Sequence, residues 1–393
     1  MNPRGLTVYI NAVGAKLGGA KRLLTPFLTE LRARNPEWEL HAILDNDAQP
    51  ISMEGVSFWR PRGSTAKWHM RDVGRFAGVQ GADCLVNLTN FGPIHSIPPS
   101  ILYQRNSLYY DRSWISRQPS SERANLALRR SAALLSLRAA TAIVVPSMSM
   151  ALALSEWTPR FMSKINVIPH GVDLSGFSYH GPTTTTSGKL LVVGHPAPHK
   201  GLDTAIKAIE ILRREDSNYS LTLTVAPSGY IGKTISTYVG NLLSLTTELG
   251  QADAISFVGP QENVQGLYRG HDLMIAPSYT ESFGFPILEA MATGIRIVAT
   301  DIPAHRELLG SSGLYFQAGS PESLACRIRT GLSAPNSHSG DLRHRAENLS
   351  WASTASKMTT LVERVAATRR LATPGTTMLA PSSRRRSRLA SPL

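Results

Sequence analysis

An apolar, β-rich run that passes through a glycine-bearing turn into a helical pattern opens both halves of the 393-residue chain. In the first half the run is Leu6–Ala12, the turn holds Gly18 and Gly19, and Leu23, Leu24, Phe27, Leu28 and Leu31 carry the helical period. In the second half the run is Lys189–Val193, the turn runs from Gly194 to Gly201, and the helix covers Gly201–Arg213. Strand, turn and helix repeated in this way give parallel sheets covered by helices. Further strand-like runs at Leu40–Leu44, Cys84–Leu88, Ile101–Gln104, Ala142–Val145 and Phe161–Ile168 extend the first half. Those at Leu221–Ala226, Ile255–Val258, Leu273–Ala276 and Ile295–Ala299, with a helix near Ser236–Leu249, extend the second. The polar, glycine-bounded segment from Gly181 to Gly188 reads as the linker between them.

The fold class is therefore α/β, with two Rossmann-like doubly wound domains at residues 1–175 and 176–350. Ala352, Ala355, Met358, Leu361, Val362 and Val365 give a last helix over 351–370, expected to pack back toward the N-terminal domain. Residues 371–393, rich in Pro, Ser, Thr and Arg, read as a disordered basic tail.

Composition excludes several classes. No run of 18 apolar residues is present and the N-terminus lacks a signal-peptide pattern, so a cytoplasmic protein is expected. Cys84 and Cys326 are far apart in apolar contexts and read as small core residues, not as a disulfide or zinc site. The net charge of +13 is uneven: residues 1–170 hold 20 Lys and Arg against 11 Asp and Glu. That basic half is read as a surface for peripheral contact with an anionic membrane at its inner face. No zinc-finger or RNA-binding signature accompanies it, so nucleic acid is not an expected partner; a nucleic-acid binder would show strongly salt-dependent retention on DNA. The G-x-G-x-x-G fingerprint of a dinucleotide enzyme is absent.

The candidate chemistry gathers where strands end. In Glu281-Ser282-Phe283-Gly284-Phe285-Pro286-Ile287-Leu288-Glu289, Gly284 and Pro286 mark a loop turning directly into a helix. One carboxylate then lies in the loop and the other about a turn inside the helix, with free backbone N–H groups between them: a place for a phosphate and for hydroxyls. Lys200 falls at the N-terminus of the helix after Gly194–Gly201, where an ammonium and N–H groups together suit a phosphate. Arg105 and Asn106 close the Ile101–Gln104 run, and ligands of open α/β sheets bind beyond the carboxyl ends of strands. Tyr109–Arg130, basic and carrying Trp114, reads as an acceptor-side loop and helix. Asp45-Asn46-Asp47 reads as a turn.

Together these pieces resemble glycosyltransferase family 4, the retaining nucleotide-sugar transferases of GT-B fold. Glu281-x7-Glu289 matches that family's E-x7-E motif, Gly194–Gly201 resembles its phosphate loop, Ile168-Pro169-His170-Gly171-Val172-Asp173 resembles the close of its N-terminal domain, and Gly18-Gly19-Ala20 its first glycine loop. The resemblance spans roughly residues 5–370. It implies two domains facing each other across a donor cleft. In it Lys200 neutralises the donor diphosphate, Glu289 accepts from the ribose hydroxyls, Glu281 orients the donor sugar, and His195, Ser282, Phe283 and Gly284 complete the donor site. Gly18 and Gly19 would stand on the acceptor side, and Lys200, Glu281, Arg105 and Asn106 in the catalytic set. It implies no cofactor and no metal, because basic residues and a helix N-terminus compensate the diphosphate charge.

Two positions depart from the family pattern. His195 stands where an arginine usually follows the glycine, which places more of the diphosphate charge on Lys200 unless His195 is protonated or His199 assists. Arg105 and Asn106 occupy the neighbourhood of a frequent histidine.

The expected activity is hexosyl transfer (EC 2.4 type) from a nucleoside diphosphate sugar, with GDP-mannose preferred, to a glycan or lipid-linked acceptor hydroxyl with retention, in cell-surface polysaccharide or glycolipid synthesis. The alternatives are a non-catalytic GT-B-like sugar-nucleotide-binding protein, and a phosphorylase or epimerase of the same fold; the former of these two enzymes needs a pyridoxal lysine context that is not found.

Overall fold

The computed structural model describes residues 5–392 apart from 15–18, 47, 49–50, 183–186, 231, 262, 334–338 and 373–389. It divides into two compact units: unit 1 contains residues up to Gly171 together with those from Trp351 onward, and unit 2 is Val172–Ser350.

Unit 1 is built on strands β1 (Thr7–Asn11), β2 (Glu39–Ile43), β3 (Val56–Pro61), β4 (Cys84–Asn87), β5 (Ser100–Tyr103), β6 (Ala142–Val145) and β7 (Ile165–Val167), in the spatial order β3-β2-β1-β4-β5-β6-β7. All seven pair in parallel, as in Val8 with Leu40 and with Cys84. The central strands are buried along their whole length, which is why they read as continuous apolar runs and not as alternations. A short strand, Ala390–Pro392, pairs antiparallel with β3 at the open edge. Its Ala390 is buried beside Trp59, Tyr9 and Phe76. This corrects the disordered reading of 371–393 at those three positions, as does the last helix, Trp351–Ala372, at 371 and 372; residues 373–389 and 393 lie outside the described residues.

The helix Trp351–Ala372 belongs to unit 1 and packs on the helix Gly19–Arg34. Asn35, buried, donates from Nδ2 to Thr359 Oγ1 at 2.9 Å and joins the two helices at one end. The boundary between units falls at Gly171/Val172, against 175/176 expected from the sequence.

Unit 2 holds β8 (Lys189–Val192), β9 (Ser220–Leu223), β10 (Ile255–Phe257), β11 (Leu273–Ala276), β12 (Arg296–Thr300) and β13 (Leu314–Phe316), in the order β10-β9-β8-β11-β12-β13 and all parallel. The order reverses between β8 and β11, so the crevice beyond their carboxyl ends is where a ligand of a doubly wound sheet is expected. The helix Leu202–Arg213 follows β8: Leu202, Ala205, Ile206, Ile209 and Leu212 recur at helical spacing and are buried, and Asp203 and Arg213 complement its dipole ends. β3 and β13 escape the sequence reading because both are partly exposed and so lack a continuous apolar run, and β13 is only three residues long. Phe161–Ile168, expected as a strand, begins as a 3₁₀ turn at Pro159–Lys164 and becomes β7 only at Ile165. Cys84 is buried as expected, whereas Cys326 is exposed: the helix Pro321–Ser333 buries Leu324, Ala325 and Ile328 and turns Cys326 outward.

Ile206 is fully enclosed in the unit 2 core, so Ile206→Ala should lower stability by about 2–5 kcal/mol through lost apolar contact and a residual cavity. Urea unfolding of the two proteins measures this; a difference under about 0.5 kcal/mol would contradict the packing described.

Candidate active site

Three loops of unit 2 meet beyond the carboxyl ends of β8, β11 and β12. Gly201 makes the meeting possible. Its backbone is left-handed (φ 62°), and a Cβ there would lie 2.2 Å from the Pro277 carbonyl oxygen. Only glycine allows that approach. The Tyr279 N–H then donates to the His199 carbonyl at 2.8 Å and ties the β8 loop to the β11 loop.

This close contact places Lys200 Nζ 2.5 Å from Glu281 Oε1. Both side chains are largely enclosed, with 23% and 15% of their surface exposed. The same carboxylate oxygen accepts from Ser278 Oγ at 2.9 Å. Ser278 is held in turn by Thr300, at the end of β12, whose hydroxyl donates to the Ser278 carbonyl at 2.6 Å. His305, buried, sets its Nδ1 3.0 Å from the Thr300 carbonyl and 2.9 Å from Thr300 Oγ1. Burial by itself would raise the Glu281 carboxyl, but the Lys200 ammonium, assisted by its hydrogen bond and by His305 and His199, outweighs it and holds the group at about 2. Burial lowers His305 to about 4 against the opposing pull of Glu281. Burial and the Lys200 charge lower His199 to about 3. Burial and Lys200 also lower His195, whose ring meets Tyr230 edge-on at 5.8 Å. Neither histidine is therefore cationic near neutral pH, and Lys200 is the cation of this loop.

The loop then turns into the helix Phe285–Thr293, with Gly284 at its N-cap in a left-handed conformation (φ 109°) and Pro286 in the first turn. Phe283 is buried and meets Phe285 edge-on at 5.9 Å. Ser282 lies in the turn between Glu281 and Phe283. Ile287 to Thr293 are all buried, and Glu289 is among them at 5% exposure. A carboxylate in so apolar a helix needs a donor, and the buried Tyr268 hydroxyl gives one at 2.9 Å. The structure thus joins Lys200, Glu281 and Ser278 by hydrogen bonds, sets His199 within electrostatic reach of them, and bonds Glu289 to Tyr268.

In unit 1, the sequence candidates also stand at strand ends. Gly19 begins the helix Gly19–Arg34, while Gly18 lies outside the described residues. Asn106 caps the 3₁₀ turn Ser107–Tyr109, its side chain accepting from the Leu108 N–H at 3.0 Å. Arg105 follows β5, and its N–H donates to Asn90 beyond β4 at 2.8 Å. Asp45, read as a turn residue, is buried and accepts from the Gly14 N–H at 2.6 Å. Sequence reasoning missed Ser278, Thr300, His305 and Tyr268; their only signal is position beyond or beside a strand end. No group of three His, Cys, Asp or Glu among the described residues is arranged to hold a metal ion.

Residues 187–333, most of unit 2, match the family model described as "Glycosyl transferases group 1". Among curated relatives, the D-inositol 3-phosphate glycosyltransferase of Geodermatophilus obscurus is 31% identical over 229 residues, 53% of this chain and 50% of that protein. The lipopolysaccharide core biosynthesis mannosyltransferase LpcC of Rhizobium leguminosarum bv. viciae is 30% identical over 182 residues, 43% of this chain and 50% of that protein. The chain spans about half the length of these relatives. Among solved structures, sucrose-phosphate synthase from Thermosynechococcus elongatus superposes with a TM-score of 0.73 at 16% identity, covering 92% of this chain and all of that one. WaaG, a glycosyltransferase involved in lipopolysaccharide biosynthesis, gives 0.70 at 17% identity, covering 91% and 99%. The chain has the GT-B fold of these proteins, two parallel-sheet α/β domains, and its second unit carries the group 1 glycosyltransferase match.

Folding keeps His69, His170, His199 and His305 neutral by enclosing them and keeps Glu281 charged. A histidine whose folded value is depressed binds fewer protons than the unfolded chain, so stability should fall as pH drops below about 6.5, and the Glu281 contribution should fade below about 4.5. Calorimetry from pH 8 to pH 4 should show a melting temperature level above pH 7 and declining steadily below 6.5. A level profile down to pH 5 would contradict these environments.

Proposed function

We propose that the protein is a retaining glycosyltransferase that moves a hexose from a nucleoside diphosphate sugar to an acceptor hydroxyl, with unit 2 binding the donor and unit 1 the acceptor. The observation that carries this reading is the enclosed Lys200–Glu281 pair beyond β8 and β11, next to the N-terminus of the helix Phe285–Thr293. A cation beside a helix N-terminus suits a diphosphate, and the carboxylates suit hydroxyls. In the step we favour, the bond from the anomeric carbon to the diphosphate oxygen breaks while the bond to the acceptor oxygen forms on the same face. The acceptor proton passes to the departing diphosphate, whose charge Lys200 stabilises. No cofactor is assigned. Mannose is the preferred sugar, supported by the relative named as a mannosyltransferase; the relative structure named in complex with UDP and glucose supports a hexosyl donor more broadly.

Lys200→Ala should lower kcat/KM at least about 100-fold, read by nucleotide release. In thermal-shift measurements UDP or GDP should raise the melting temperature by a few degrees, and Glu289→Gln should reduce that shift. Near-normal turnover of the lysine variant, or no shift with any nucleotide, would overturn the reading; the second outcome would favour a binding protein that has lost its donor chemistry.

A glycan or lipid-linked acceptor at an anionic membrane surface accords with unit 1. No helix among the described residues is long and apolar enough to cross a membrane. On the helix Ser120–Ala139, Leu128 and Leu135 stand seven residues apart, on one face, with 72% and 53% exposure, and Arg129 and Arg138 are exposed beside them. Exposed leucines flanked by arginines suit an anionic bilayer surface. The chain should sediment with phosphatidylglycerol vesicles at low salt, and the Leu128→Glu, Leu135→Glu double variant should lose most of that binding. Equal sedimentation of the two proteins would remove this surface from consideration.

A further inference from the structure

Arg105 is a half-buried cation without a counter-charge. Its Nε is fully enclosed, and no described residue accepts a hydrogen bond from it. No carboxylate of the described residues forms an ion pair with its guanidinium, and the hydrogen bonds at this position involve only the backbone N–H, which donates to Asn90. Its neighbours are uncharged. Burial pushes the Tyr103 hydroxyl well above its ordinary range, and its proton is given to the Ile168 carbonyl at 2.9 Å. His170 stacks on the Tyr103 ring at 5.6 Å and is held neutral by burial and by Arg105 itself. Beside them Gln104 Oε1 is also buried without a donor. Enclosing the Nε donor of a cation with no acceptor carries a desolvation cost that folding does not recover. Arginine does not escape by losing its proton, because its ordinary value lies above 12. Sites that carry such an uncompensated cost are places where a ligand completes the structure.

We infer that Arg105 is a specificity-determining residue that holds a phosphoryl group of the acceptor, at the carboxyl ends of β4 and β5 in unit 1. This inference rests on the assignment of unit 1 to the acceptor. The planar guanidinium offers a fork of donors that matches two phosphoryl oxygens, and in a partly enclosed place such bonds are strong. The acceptor class is then a phosphate ester or diphosphate, free or lipid-linked, and not a neutral sugar. The neutral environment of Tyr103 and His170 leaves the cation uncancelled, so an anion meets no competing internal partner.

The test is titration of the full chain with inorganic phosphate, read by tryptophan emission. All six tryptophans, Trp38, Trp59, Trp68, Trp114, Trp157 and Trp351, lie in unit 1, and the Trp351 ring is 6.3 Å from that of His170. Emission therefore reports from unit 1, and the Lys200→Ala variant separates out any contribution of phosphate held by Lys200. Phosphate should give a saturable change at constant ionic strength that Lys200→Ala retains and Arg105→Gln weakens at least about tenfold. Arg105→Gln should melt no lower than the parent, since it removes an unpaired charge, and should keep the UDP or GDP shift. In transfer assays it should raise KM for a phosphorylated acceptor more than it lowers kcat, with lipid-linked and water-soluble phosphate esters compared to separate the two sources. Phosphate binding unchanged by the substitution, or absent from the parent, would overturn the inference. So would a fall in melting temperature of more than a few degrees, which would make Arg105 structural, or an equal loss of nucleotide binding, which would give the guanidinium to the donor. The nucleotide shift tests the donor reading by itself, so the two readings fail separately.

Discussion

The contact between Gly201 and the Pro277 carbonyl is the constraint on which the candidate site depends. Without a side chain at 201, the loop after β8 lies directly on the loop after β11, and the Tyr279–His199 backbone bond fixes their spacing. Lys200 then reaches Glu281 directly. The carboxylate is backed by Ser278, Ser278 by Thr300, and Thr300 by His305, so that three successive strand ends share one network. Because the network is enclosed, each charge in it affects its neighbours: Lys200 keeps Glu281 ionised, and burial together with Lys200 keeps His199 neutral. A phosphate that reached Lys200 would enter a place already arranged around one anion, and the reorganisation needed is small.

Much of this was legible in the sequence. The alternation of buried strands and amphipathic helices gave both sheets, because parallel strands covered on two faces must be apolar throughout. Glu281, Gly284, Pro286 and Glu289 located the loop and helix, since glycine and proline carry their backbone requirements with them. What the sequence did not show depends on distance along the chain. Nothing local distinguishes Ser278, Thr300 or His305 from ordinary polar residues; they matter because β8, β11 and β12 are neighbours in space. Likewise Tyr268, 21 residues before Glu289, supplies the donor that lets a carboxylate sit in an apolar helix. The edge elements were hidden for a different reason. β13 and Ala390–Pro392 are only three residues long, and β3 and β13 are partly exposed, so their composition is not that of a core strand.

The two departures from the family pattern also take on physical meaning. At His195, burial and Lys200 together keep the imidazole neutral, which leaves the loop one cation poorer than an arginine would make it. At Arg105 the opposite holds, and unit 1 carries a half-buried cation with an enclosed Nε and no acid set against it. Positive charge has in effect a different place in this chain than in the pattern it resembles.

Unit 1 is made from two pieces of sequence, with unit 2 inserted between Gly171 and Trp351. Val172 and Ser350, the ends of the insert, are joined by a parallel bridge. Synthesis from the N-terminus therefore delivers the seven parallel strands of the first sheet long before the helix Trp351–Ala372 that covers part of it, while unit 2 emerges as one uninterrupted stretch. The order of completion on the ribosome is then the reverse of the order of the sequence: the second unit can close first, and the first must wait, with the helix Gly19–Arg34 uncovered, until some 180 further residues have been made.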